Sequence, residues 1–161
     1  MTDQPRARLL FVCSGNICRS PTAEGVFRHR VAEAGLQGHF VADSCGTHGM
    51  HAGDPPDPRA RDAAAERGID LSDLRARPLA KEDFERFDLL LAMDGGHFAH
   101  LERVAPQPMP ERIRMFLDFT DRVAEREVKD PYYGHAAGFD HTLDIIETGV
   151  EDLLSFLQRT Y

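Results

Sequence analysis

An uninterrupted apolar run, Leu9-Leu10-Phe11-Val12, leads directly into Cys13-Ser14-Gly15-Asn16-Ile17-Cys18-Arg19-Ser20 and then Pro21-Thr22-Ala23-Glu24. An apolar run with no polar alternation predicts a strand buried on both faces, hence a parallel sheet covered by helices on each side. Proline is tolerated in the first turn of a helix, where its missing N–H has no intrahelical partner. A helix is therefore predicted to open with Ser20 as its cap and Pro21 just inside. The residues between strand and helix form a turn whose backbone N–H groups converge on one point, and the positive end of the helix dipole faces the same point. That is an oxyanion site. The same groups hold Cys13 toward its thiolate, and Arg19 offers a planar fork that matches two oxygens of a phosphoryl group. A nucleophile and a bidentate clamp on one loop point to phosphoryl transfer through a phosphocysteine.

The rest of the chain supplies layers for such a sheet. Ala23, Val26, Phe27 and Val31 follow helical spacing and Gly35 ends that helix. A second strand is predicted over 40–44, so the first connection is a right-handed crossover that puts a ligand site at the carboxyl ends of the strands. Residues 45–56 read as a surface loop returning beside the first one, 57–67 as a helix, 80–87 as a short helical segment, 89–93 as a third strand and 97–104 as a helix. Residues 113–116 read as a short fourth strand, 118–129 as a loop with at most one helical turn, and 139–158 as a last amphipathic helix burying Leu143, Ile146, Val150, Leu153, Leu154 and Leu157. The expectation is one domain over 1–161, a three-layer α/β/α fold with a four-stranded parallel sheet in the flavodoxin-like order 2-1-3-4.

Twenty-seven acidic against 19 basic side chains, a formal charge of −8, argue against nucleic acid or an anionic membrane as partner. No apolar stretch approaches the ~20 residues of a membrane span, and the N-terminal residues lack a signal-peptide core. Three cysteines make no disulfide framework and fit a reducing compartment. These features lead to the expectation of a cytoplasmic protein. The histidine pairs His48 with His51 and His97 with His100 have no carboxylate or thiolate ligands at matching spacing, so they read as surface residues, with no metal and no cofactor.

The stretch from Phe11 to Pro21 resembles the signature of the low-molecular-weight protein tyrosine phosphatases. Similar segments follow in family order: Asp43-Ser44-Cys45-Gly46-Thr47, Pro56-Asp57-Pro58-Arg59-Ala60, Asp88 to Asp94, and Asp130-Pro131-Tyr132-Tyr133-Gly134. The resemblance implies hydrolysis of phosphotyrosine and small aryl phosphates, with Cys13 as nucleophile and Arg19 stabilising the charge that builds on the phosphoryl group. Read alone, an aspartate before proline is more often a turn residue. The resemblance makes Asp130 the general acid that protonates the leaving oxygen and then the base that activates water. It implies phosphate contacts from Ser14, Gly15, Asn16, Ile17, Cys18 and Ser20 and a supporting hydroxyl from Ser44; Asn16 is expected at positive φ, which asparagine tolerates. Tyr132 and Tyr133 would wall an aromatic substrate.

Two positions depart from the family pattern. Leu74 stands where relatives carry a histidine, leaving the loop network one donor short, and Met50 replaces an aromatic wall residue with a flexible thioether. Cys18 either pairs with Cys13 as a protective disulfide, as the resemblance implies, or simply packs. Cys45 reads as core filler.

Three competing functions bear on the same residues. An arsenate reductase of this fold needs two further cysteines, and none follows Cys45. Protein-arginine phosphatases resemble the chain but tend to carry threonine where Ile17 stands, and an apolar side chain there favours phosphotyrosine. A non-catalytic phosphoprotein-binding module would have lost Cys13 or Asp130. The expected partner is a tyrosine-phosphorylated protein, tyrosine kinases among them, and the expected assembly is a monomer or weak homodimer.

Overall fold

The strand β1 (Ala7–Cys13) lies inside a four-stranded, wholly parallel sheet of order β2-β1-β3-β4, with β2 at Phe40–Gly46, β3 at Leu89–Ala92 and β4 at Ile113–Met115. The computed structural model describes residues 4–132 and 136–161. The helices are α1 (Arg19–Glu33), α2 (Pro58–Glu66), α3 (Asp83–Arg86), α4 (Gly95–Val104) and α5 (Ala136–Thr160), with a 3-10 turn at Phe116–Phe119.

The sheet explains why the β1 run has no polar break. Leu9 and Phe11 enter the larger core cluster with α1, α2 and α5, and the rings of Phe27 and Phe116 pack against Phe11. Leu10 and Val12 enter the opposite cluster with Leu90, Ala92, Leu101 and Ile113. Both faces of the strand are therefore in apolar core, as two-sided cover requires. The three-layer architecture and strand order are those predicted from the sequence.

Two boundaries differ in ways that matter for the site. Helix α1 starts at Arg19, with Cys18 in the cap position and no side-chain cap. Ser20, expected as that cap, lies inside the helix, because its hydroxyl is engaged within the loop instead. Strand β2 runs two residues further than predicted, to Gly46, which pairs with Cys13. A Cβ at Gly46 would lie 2.6 Å from the Ser14 carbonyl oxygen, so only glycine lets the second strand run this close to the first loop.

Candidate active site

The loop from Cys13 to Arg19 joins β1 to α1 at the carboxyl edge of the sheet, beside the point where the chain order reverses between β1 and β3. Its carbonyls are held from outside. Cys13 O accepts from the Thr47 N–H at 2.9 Å, Ser14 O from His48 at 3.3 Å, Ile17 O from Asp57 at 2.8 Å and Cys18 O from Thr22 at 3.2 Å. Asn16 takes the left-handed conformation at φ 60°, which asparagine tolerates better than most residues. Among the described residues no protein acceptor takes the backbone N–H groups of residues 14 to 19. Carbonyls tied outward and amides left unpaired make a nest that suits an anion.

Side chains lock this shape from behind. Asn16 Nδ2 donates to Ser20 Oγ at 2.7 Å and to Ser44 Oγ at 3.0 Å, and its Oδ1 accepts the Arg77 N–H at 3.0 Å. Ser20 Oγ stands 2.9 Å from Cys13 Sγ and 3.3 Å from the Cys45 carbonyl. Having accepted from Asn16, Ser20 has its own proton left for the sulfur or that carbonyl. Ser44 Oγ donates to Glu24 Oε1 at 2.7 Å. Leu74 packs into the larger core cluster; the Arg77 main chain and the Glu24 carboxyl complete the hydrogen-bond network instead. Arg77 is itself pinned by Asp43 and Asp83.

Glu24 is 2 % exposed, and its Oε2 faces Arg28 as an ion pair but makes no hydrogen bond. Burial pushes its pKa from the ordinary 4.5 to about 7, against the opposing effects of the Ser44 hydrogen bond and Arg28. Between those values the folded protein keeps a proton that the unfolded chain has lost, so Glu24 makes stability fall as pH rises through that window. Summed over that window the loss is roughly 3 kcal/mol at most. Urea midpoints measured at pH 5 and pH 8 should therefore differ less in Glu24→Gln than in the wild type; equal pH dependence would show that Glu24 ionises as an exposed carboxyl does.

Arg19 is buried at 3 % exposure and aimed from several sides. Its Nη1 donates to Asp94 Oδ2 at 2.8 Å and to the Val128 carbonyl at 2.9 Å, while its Nη2 lies 3.7 Å from Asp130 Oδ2. Although burial works against it, the His97 N–H and the Arg19 guanidinium hold the Asp94 carboxyl below its ordinary range. Asp94 also caps α4, in a capping box with His97. Asp130 accepts the Tyr132 N–H at 2.9 Å through Oδ1, and the carboxyl is 41 % exposed across the cleft.

The cleft holds about 360 Å³ and is lined by Cys13, Ser14, Gly15, Ile17, Cys18, Arg19, His48, Met50, His51, Asp130 and Tyr132. Arg59 braces the acid-bearing segment: its guanidinium donates to the Tyr132 carbonyl at 2.8 Å, packs over the Phe139 ring and pairs with Asp57. Met50 is 83 % exposed at the rim. The predicted wall residue Tyr133 lies outside the described residues. Cys13, Cys18 and Cys45 are buried free thiols; burial, reinforced by the Asp57 charge, pushes the Cys18 thiol well above its ordinary range, so Cys18 stays protonated. Burial likewise pushes Cys45 up, and it lies in the smaller core cluster.

Glu24, Arg77, Asp94, His97 and Arg59 take part in this arrangement without having been singled out as site residues from the sequence. Glu24 three places after Pro21 and Arg59 directly after Pro58, each proline in the first turn of a helix, and an Asp-Gly-Gly turn after a buried strand are the local signals. None reveals its partner, because those contacts join segments distant in the chain.

A cysteine sulfur beside a nest of unpaired amides, with a guanidinium and a carboxyl across a cleft at the carboxyl edge of a parallel sheet, defines an α/β protein of the cysteine-dependent phosphatase class. The family model described as low molecular weight phosphotyrosine protein phosphatase matches residues 8–161. The chain belongs to that family. It is 45 % identical over 156 residues to a low molecular weight protein-tyrosine-phosphatase of Streptomyces coelicolor, covering 94 % of each chain. It superposes at TM-score 0.91 on the crystal structure of a protein tyrosine phosphatase of Entamoeba histolytica with Hepes in the active site, at 37 % identity and covering 95 % of this chain and 97 % of that one. The crystal structure of YfkJ from Bacillus subtilis matches at TM-score 0.90 and 37 % identity, covering 95 % of each chain.

Proposed function

We propose that the chain, as a single catalytic domain, hydrolyses phosphotyrosine in proteins, and small aryl phosphates, through a phosphocysteine at Cys13. The observation that carries this reading is the joint placement of Cys13, the unpaired loop amides and Arg19, with Asp130 Oδ2 3.7 Å from the guanidinium. In the first step Cys13 Sγ attacks phosphorus as the bond to the phenolic oxygen breaks, and protonated Asp130 gives that oxygen its proton. The amides of Ser14, Gly15, Asn16, Ile17, Cys18 and Arg19, with the Arg19 fork, take up the charge on the non-bridging oxygens. In the second step the Asp130 carboxylate removes a proton from water, water oxygen bonds to phosphorus, and the sulfur leaves as a thiolate stabilised by the Ser20 hydroxyl. Ser44 keeps Asn16 and hence the loop in place. Tyr132 and Met50 wall the substrate ring.

The substrates are tyrosine-phosphorylated proteins, tyrosine kinases among them, and the chain works in the cytoplasm as a monomer or weak homodimer. The formal charge of −8 supports a partner other than nucleic acid. Among the described residues no helix is long and apolar enough to cross a membrane.

A protein-arginine phosphatase would use the same loop. Ile17, partly buried against the core and lining the cleft, favours an aromatic ester over a guanidinium group. Initial rates on matched phosphotyrosyl and phosphoarginyl peptides, in chelator, should favour phosphotyrosine by about tenfold or more, the effect of ~1.4 kcal/mol. The reverse order would assign the chain to phosphoarginine, and no turnover of either would leave a binding module.

A further inference from the structure

The mechanism above makes no use of the His97 ring, which lies buried behind the phosphate loop. His97 is 4 % exposed, and its Nε2 stands 2.9 Å from Ser14 Oγ. The surroundings of its other nitrogen point to which atom carries the proton. Nδ1 lies 3.2 Å from two Asp94 groups, the backbone N–H, which it accepts, and Oδ1, with which it makes an ion-pair contact but no hydrogen bond; Oδ1 is engaged instead by the His97 backbone N–H at 3.0 Å. An accepting nitrogen has no proton, so the neutral ring carries its proton on Nε2 and Ser14 Oγ accepts it. Burial and the Arg19 charge push the ring pKa down to about 4, with Asp94, Asp130 and Glu127 acting the other way, so the ring is neutral at physiological pH. The Ser14 hydroxyl, its acceptor side filled by His97, has no other partner among the described residues, and Ser14 lines the cleft.

We propose that His97 is a positioning residue: by donating to Ser14 Oγ it presets the Ser14 O–H as a hydrogen-bond donor to the oxyanion held in the Cys13 loop. One helix start then sets two donors. The His97 backbone N–H holds Asp94, whose other carboxyl oxygen holds Arg19, while the His97 ring holds Ser14. The inference rests on the phosphatase reading only for the identity of the ester; its test reads oxyanion affinity without turnover.

Calorimetric titration of inorganic phosphate into the wild type, Ser14→Ala, His97→Asn, His97→Gln and the Ser14→Ala/His97→Asn double variant provides that test. Asparagine keeps an acceptor for the Asp94 N–H but is too short to reach Ser14, whereas glutamine can reach it. The phosphate Kd should rise roughly tenfold or more in Ser14→Ala and in His97→Asn alike, as expected for one lost hydrogen bond to a charged group. The double variant should be no weaker than either single one, and His97→Gln should recover part of the loss. Wild-type affinity in His97→Asn, or additive losses in the double variant, would overturn the proposal. Should the variants not fold, 15N spectra of the wild-type imidazole still decide: a proton on Nε2 agrees, and a proton on Nδ1 refutes the assigned direction. Phosphate binding that follows this pattern in a chain that hydrolyses no aryl phosphate would overturn the function proposed above and leave this inference standing.

Discussion

Cys13→Ser should lose aryl phosphate hydrolysis by roughly four orders of magnitude or more, the scale seen when a nucleophile is removed, while still binding inorganic phosphate. A serine hydroxyl in the same place is un-ionised at neutral pH, and as an alkoxide it is a far poorer leaving group than a thiolate in the second step. The site around it has reason to persist. Residue 13 is fixed through its main chain, by pairing with Gly46 across the sheet and by the Thr47 N–H on its carbonyl. The amides, Asn16 and Arg19 do not depend on sulfur for their placement. Steady-state rates on an aryl phosphate in chelator, paired with calorimetry of inorganic phosphate, separate the two properties. Residual turnover within a hundredfold of wild type would remove Cys13 from the chemistry.

Asp130→Asn should cost about 10²- to 10³-fold in kcat on esters of weakly acidic phenols, and much less where the phenol leaves readily as an anion. The amide keeps the shape of the carboxyl, and its oxygen can still accept the Tyr132 N–H that Asp130 Oδ1 now takes at 2.9 Å. The loop should hold its conformation and lose only the transferable proton. The diagnostic is therefore the dependence of rate on leaving-group acidity, measured over a series of substituted phenyl phosphates: steep in the variant, shallow in the wild type. Equal slowing across the series would deny Asp130 the role of acid.

Much of the fold was readable because it rests on local patterns. The Leu9–Val12 run implied a strand buried on both faces, and the structure places its side chains alternately in two core clusters. Proline at 21 and glycine at 35 bracketed the first helix within a residue or two. Ser20 shows where local rules fail. By propensity it is an N-cap, yet the helix begins one residue earlier and its hydroxyl turns to Cys13 and Asn16, because satisfying a buried loop network outweighs a cap exposed to water. Leu74 suggested a network missing a donor. The sequence could not reveal that the Arg77 N–H reaches Asn16 from 61 positions away or that Glu24 closes the far end. The His97 bond to Ser14 spans 83 positions and was equally hidden; from spacing alone His97 reads as a surface histidine, whereas it is buried.

The most direct measurement is chemical quenching of the wild type in mid-turnover with an aryl phosphate, followed by mass spectrometry of the peptide that carries Cys13 and Cys18. One phosphoryl group on Cys13 sulfur, appearing and decaying at rates compatible with turnover and missing from Cys13→Ser, is the predicted result. Phosphoryl on Cys18 or on any other side chain, or turnover with no phosphorylated protein at any quench time, would contradict the account.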